Sequence, residues 1–191
     1  MSTSLRTAVA AVILIVPVAL ELAWHPFGDH ALGMEVFAVS QIVGWLLIGS
    51  VCRQAAAPTT RLGRFGRAAV LVGCVLQVAF GAVYGATAFD GEPWEAAFLP
   101  FLLGFLALFV GGVTWGISLL RSGAAPWAGR GLLAVGVLGL MAMLFGMDPW
   151  HDIFLLSAYA AWVIVGRGLD TSTLLRTPTT PVAPVGAATS R

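Results

Sequence analysis

Glu21 and His25 stand four residues apart, as do Asp148 and Asp152 with His151 between them, so each set shares one face of a helix. Imidazole with carboxylate suits zinc, nickel or copper, so a divalent metal ion is the cofactor such a set would hold, with His25, His151 and Glu21 as its ligands. Crowded carboxylates also hold a proton more tightly than isolated ones. This makes Glu95, Asp148 and Asp152 the candidate catalytic acids if the chain is an enzyme. Neither set has the spacing of a His-Glu-x-x-His zinc signature, and the competing reading is that they are solvated loop residues. Gln41, Tyr84, Trp94 and Trp150 are the candidate contacts to a solute, with Tyr159 beside Tyr84 either at the same mouth or in an interface belt. Gln41 and Gln77, at middle-to-outer positions of two apolar runs, read first as hydrogen-bonding glue between helices and only second as substrate ligands.

The elements that must position these groups follow from composition. Of 191 residues, 59% are hydrophobic and 10% charged, where a soluble domain carries roughly 45–50% and about 25%. Mean hydropathy is +0.92. These values exclude a soluble globular domain, a nucleic-acid binder and a disordered chain. A span needs about 20 mostly apolar residues, and six runs qualify: Thr7–Trp24, Val36–Cys52, Ala68–Phe89, Pro93–Leu120, Gly131–Met147 and Pro149–Gly166. Backbone groups in lipid must be satisfied within the segment, and the period-two alternation of a barrel is absent, so the spans are helices. The expected fold is all-α: a polytopic membrane protein of six transmembrane helices over residues 1–167. The first run also reads as a signal peptide, but no Ala-x-Ala-like cleavage site precedes Glu21, which favours a retained anchor.

Charge then sets orientation. With the amino terminus inside, all ten Arg fall on the cytoplasmic side, and eight of the nine acids fall outside with the three histidines. Blind placement would put ten cations on one side about once in five hundred trials, so the positive-inside rule is obeyed. Both termini are expected in the cytoplasm and the protein in the plasma (inner) membrane. Residues 168–191, rich in Thr and Pro without a hydrophobic period, read as a disordered cytoplasmic tail.

Three loops share a pattern: His25-Pro26-Phe27, Glu92-Pro93-Trp94 and Asp148-Pro149-Trp150. Each precedes a helix running outside to inside, with Trp45, Trp115 and Trp162 further along. Three helical hairpins related by an internal repeat would ring a common outer mouth. An acid before Pro at the first helical position is also simply how helices start. Gly81/Gly85 and Gly112/Gly116 allow close helix approach within one bundle, and Cys52 and Cys74 read as small apolar fillers. The absence of Lys excludes a retinal Schiff base, and there is no Gly-x-Ser-x-Gly elbow or Walker loop.

With six helices in this length, and a small-x-x-x-small pair at Thr7 and Ala11, the chain is similar to the substrate-capture subunits of energy-coupling-factor vitamin transporters. That resemblance implies a ligand bound from outside and a larger complex. Pro93-Trp94-Glu95 resembles the Pro-x-Glu element of membrane-embedded lycopene-cyclase-like enzymes, in which an acid protonates an isoprenoid double bond; Ala96 stands where a second acid is expected. The leading expectation is capture of a small solute or cation for transport. The alternatives are an enzyme doing acid–base chemistry on a lipid-like substrate and an accessory subunit without a site. Expected partners are the bilayer and a membrane-protein subunit or a second copy, with no nucleic acid.

Overall fold

The computed structural model describes residues 2–24, 34–87, 93–144 and 150–171; of Glu21, Trp24, Met34 and residues 93–96 it describes the backbone alone. Six helices follow one another: α1 (Thr3–Trp24), α2 (Met34–Gln54), α3 (Arg61–Thr87), α4 (Pro93–Ser122), α5 (Pro126–Leu144) and α6 (Trp150–Asp170). All six are long and apolar enough to cross a membrane. Even α5, the shortest at 19 residues, extends about 28 Å at 1.5 Å per residue, close to the ~30 Å hydrocarbon core. The protein is an all-α, six-helix membrane-spanning bundle.

Each helix packs on the next in sequence, and α6 returns onto α1, closing a ring. Glycines set the closest approaches. A Cβ at Gly111 of α4 would lie 2.5 Å from the backbone nitrogen of Val70 on α3, and one at Gly112 would lie 2.6 Å from the carbonyl oxygen of Leu132 on α5. Gly131 of α5 meets the nitrogen of Val165 on α6 in the same way, at 2.9 Å. Lipid tails are as apolar as leucine, so burial alone gives helices little reason to associate; close packing of this kind supplies the attraction. Gly81 and Gly85 face Ala38 of α2, while Gly112 and Gly116 face α5, so both Gly-x-x-x-Gly pairs act inside the bundle. Apolar side chains such as Val12, Leu46 and Val75 point outward, as a lipid-facing surface requires. The centre is filled by Trp45, Trp115 and Trp162, each no more than 1% exposed, with Leu14, Ile48 and Phe80.

All six helices run past charges that bound the apolar runs, and capping partners set several of their ends. Thr60 caps α3: its Oγ1 accepts from the Gly63 amide at 3.0 Å and shares a 2.7 Å hydrogen bond with Ser118 of α4. Arg67 reaches back to the end of α2, donating from Nε to the Cys52 carbonyl at 3.0 Å and from Nη2 to the Arg53 carbonyl at 2.6 Å. Asp170, at the end of α6, accepts the amides of Thr3 (3.1 Å) and Ser4 (2.7 Å) at the start of α1. Gly123, at φ 65°, turns the chain out of α4 by returning its amide to the Leu120 carbonyl.

Consecutive helices are antiparallel, as paired contacts show at each interface: Arg6–Gln54 with Leu14–Gly44, Ala38–Gly81 with Gly49–Cys74, Gly66–Trp115 with Gly73–Leu108, Gly112–Leu132 with Gly116–Gly129, and Ala128–Gly168 with Gly131–Val165. One end of the bundle therefore gathers every described arginine: Arg6, Arg53, Arg61, Arg64, Arg67, Arg121, Arg130 and Arg167. Glu35 and Asp152, and the backbone positions of Glu21 and Glu95, lie at the other end. Among the described acids Asp170 alone sits with the arginines.

Candidate functional site

Gln41 of α2 lies one turn before Trp45, on the face turned into the ring. The Trp45 indole donates to Gln41 Oε1 at 3.0 Å, and the Tyr159 hydroxyl, from α6, donates to the same oxygen at 3.4 Å. An indole N–H can only donate, which fixes the amide orientation: Oε1 faces Trp45, and Nε2 is turned away from it. Trp45 stands edge-on to Tyr159 (centroids 5.9 Å, planes at 72°) and to Trp162 (6.3 Å, 87°). All four side chains are buried. Within this aromatic surround Gln41 Nε2 and Trp162 Nε1 have no hydrogen-bond partner. A buried donor left unpaired costs about 1–3 kcal/mol, so the cluster carries two donor nitrogens, with three N–H bonds between them, that hydrogen-bond acceptors would satisfy.

Gln77 is spent differently. Its Nε2 donates across the interface to the Phe101 carbonyl of α4 at 3.2 Å, and its side chain lies over Gly104, where a Cβ would come within 2.7 Å of Nε2. It is interhelical glue, as its place in an apolar run allows.

Toward the acidic end the interior is phenylalanine. Phe37, Phe80, Phe101 and Phe105 stack in succession, and Tyr84 packs on Phe37 and Phe80 with centroids 5.6 Å from each. His151 closes this stack, its ring 6.3 Å from that of Phe101. Its Nδ1 lies 2.8 Å from the Ala142 carbonyl near the end of α5. A nitrogen facing a carbonyl oxygen must carry the proton, so Nδ1–H donates and Nε2 is the ring atom left for other chemistry. Asp152 is half-buried in the first turn of α6, and Trp150 is 58% exposed at its start.

The candidate residues named from sequence are thus distributed unevenly. Gln41 joins Trp45, Tyr159 and Trp162 in the centre, whereas Tyr84 belongs to the phenylalanine stack. Tyr159 is a core residue and not part of an interface belt. Glu21 lies in the last turn of α1, and Trp94 and Glu95 in the first turn of α4, with their side chains outside the described set; His25 and Asp148 lie outside the described residues altogether. Among the described residues no three His, Cys, Asp or Glu side chains gather into a group that could hold a metal. The Gln41–Trp45 pair at i, i+4 was the one signal in the sequence for the central cluster. No protein-family model matches the chain, and no curated protein or solved structure matches it either.

Proposed function

We propose that this chain is a membrane-embedded capture subunit, taking a small solute with hydrogen-bond acceptor groups from the acidic end of the bundle onto the Gln41–Trp45–Tyr159–Trp162 cluster. The observation that carries this reading is that Gln41 Nε2 and Trp162 Nε1, both buried without a hydrogen-bond partner, stand in one aromatic cluster; Trp115 Nε1 and Gln77 Oε1 are likewise buried and unpartnered elsewhere in the bundle. Ligand sites are commonly apolar and aromatic with a few placed polar groups. Two donors ask for a carbonyl or carboxylate oxygen, which turns the expectation away from a bare cation at this depth. A divalent ion at His25, His151 and Glu21 would belong to the rim. In this reading the arginine-bearing end faces the cytoplasm, with both termini, and the acidic end faces outward. The three helices that leave the acidic end, α2, α4 and α6, form the repeated halves of three hairpins. Supporting this, their side chains meet across the ring, Trp45 with Trp162 and Phe101 with His151.

Native mass spectrometry and metal analysis of the purified protein test the reading. A small acceptor-bearing molecule should accompany the wild type, be lost from Gln41→Leu, and persist in His151→Ala. Bound metal that disappears in His25→Ala and His151→Ala would instead move the capture site to the rim. A wild type that carries neither molecule nor metal would favour an accessory subunit. The tryptophan-filled centre supports that second reading.

A further inference from the structure

A large cavity lies on the outer surface of the ring, between α2 and α3. It measures about 790 Å³ and opens along its side. Its floor is Gly49 and Cys74, its walls include Leu46 and Val75, and Arg53 and Gln54 stand at its basic end. Trp45 and Val78 mark the opposite limit. From Trp45 to Gln54 the helix advances about 14 Å, which is about the depth of one bilayer leaflet, half of the ~30 Å core. Apolar side chains line the length of the groove, and the charge is confined to its mouth.

That mouth is cationic. Arg53 is exposed beside it, and Arg6 is held there by a 2.7 Å hydrogen bond from Nη1 to Gln54 Oε1. Asp170, the one described carboxylate at this end of the bundle, accepts the amides of Thr3 and Ser4. Arg67 is committed to the end of α2. Two guanidiniums therefore stand at headgroup level above a groove one acyl chain deep.

We infer that the α2–α3 groove binds one anionic phospholipid of the arginine-side leaflet, its acyl chain over Gly49 and Cys74 and its phosphate at Arg53 and Arg6. This does not depend on the capture reading, which concerns the inside of the ring. A basic residue near a membrane surface attracts an anionic lipid by about 1 kcal/mol, equivalent to about fivefold in retention.

Native mass spectrometry of the whole protein, released from micelles holding equal phosphatidylglycerol and phosphatidylcholine, is the test. The wild type should retain phosphatidylglycerol preferentially, and Arg53→Gln should lower that preference about fivefold, as one lost guanidinium implies. Gly49→Leu, which fills the floor, should lose both lipids. Arg167→Gln, on the opposite edge of the ring, should behave as wild type. Equal retention of the two lipids by the wild type, an unchanged preference in Arg53→Gln, or undiminished lipid in Gly49→Leu would each overturn the inference.

Discussion

Gln41 Oε1 receives two donors that have no other acceptor, and the geometry ranks them. The Trp45 bond at 3.0 Å is well formed, while the Tyr159 bond at 3.4 Å is near the limit of the interaction. Tyr159→Phe should therefore cost little, about 0.6 kcal/mol, the average for a hydrogen bond between membrane helices. Gln41→Leu strands the Trp45 N–H and the Tyr159 hydroxyl but also removes the unpaired Nε2, so its net cost should be below the sum of the two losses, about 1–3 kcal/mol. In the Gln41→Leu background Tyr159→Phe should become neutral or stabilising, because it removes a hydroxyl already left without an acceptor. A double-mutant cycle measured by reversible unfolding in mixed micelles checks this; equal costs of Tyr159→Phe in both backgrounds would dissolve the pair. Half of this cluster was open to sequence reasoning. Gln41 and Trp45 are four apart on one helix, but Tyr159 is 118 positions away, and no local pattern announces a partner at that distance. Tyr84 is likewise undecided by any local pattern: it stands between glycines in the sequence, and its contact with Phe37 of α2 is set by the fold.

Among the helices, hydropathy revealed all six but placed their ends poorly. Cutting at charged residues ignores that guanidinium and carboxylate groups cap helices from other parts of the chain, as Arg67 does for α2 and Asp170 for α1. Asp170→Ala should fray the start of α1, seen as faster hydrogen exchange at the Thr3 and Ser4 amides, with Asp170→Asn intermediate because one acceptor oxygen survives; unchanged exchange in both would show that the cap is unimportant. The glycines give a sharper test, since spacing alone cannot separate a crossing point from a chance glycine. Gly112→Ala places a Cβ 2.6 Å from the Leu132 carbonyl oxygen, which rigid backbone cannot relieve, and should cost about 1–3 kcal/mol as overpacking does. Gly49→Ala meets only the Cys74 Cβ, at 3.5 Å, and should be neutral or gain about 0.5–1 kcal/mol from lost chain entropy in the unfolded state. Gly123→Ala has open space but keeps a positive φ, so its cost of about 1–2 kcal/mol is backbone strain. Thermal unfolding in detergent should rank the stabilities Gly49→Ala first, with the other two below wild type.

At the scale of the whole molecule, charge is sorted along the bundle axis, and this sorting depends on every helix crossing. If α5 or α6 failed to span, Arg167 would leave the end that holds Arg6, Arg53 and Arg64. The sorting also separates two tasks. Arginines bind carbonyls and, by inference, lipid phosphate at one end; under the capture reading proposed above, a solute would reach Gln41 and Trp162 from the other end, which holds no arginine among the described residues. Which compartment each end faces is open to a direct measurement, because the native thiols, Cys52 and Cys74, are both buried and should stay silent to a membrane-impermeant maleimide. A cysteine at the exposed position of Trp150 should label in intact cells, and one at exposed Arg64 should label only after the membrane is opened. Labelling of both in intact cells would break the bundle's polarity. Labelling of Arg64→Cys alone would invert it, and would turn the capture cluster toward the cytoplasm with the solute then moving outward.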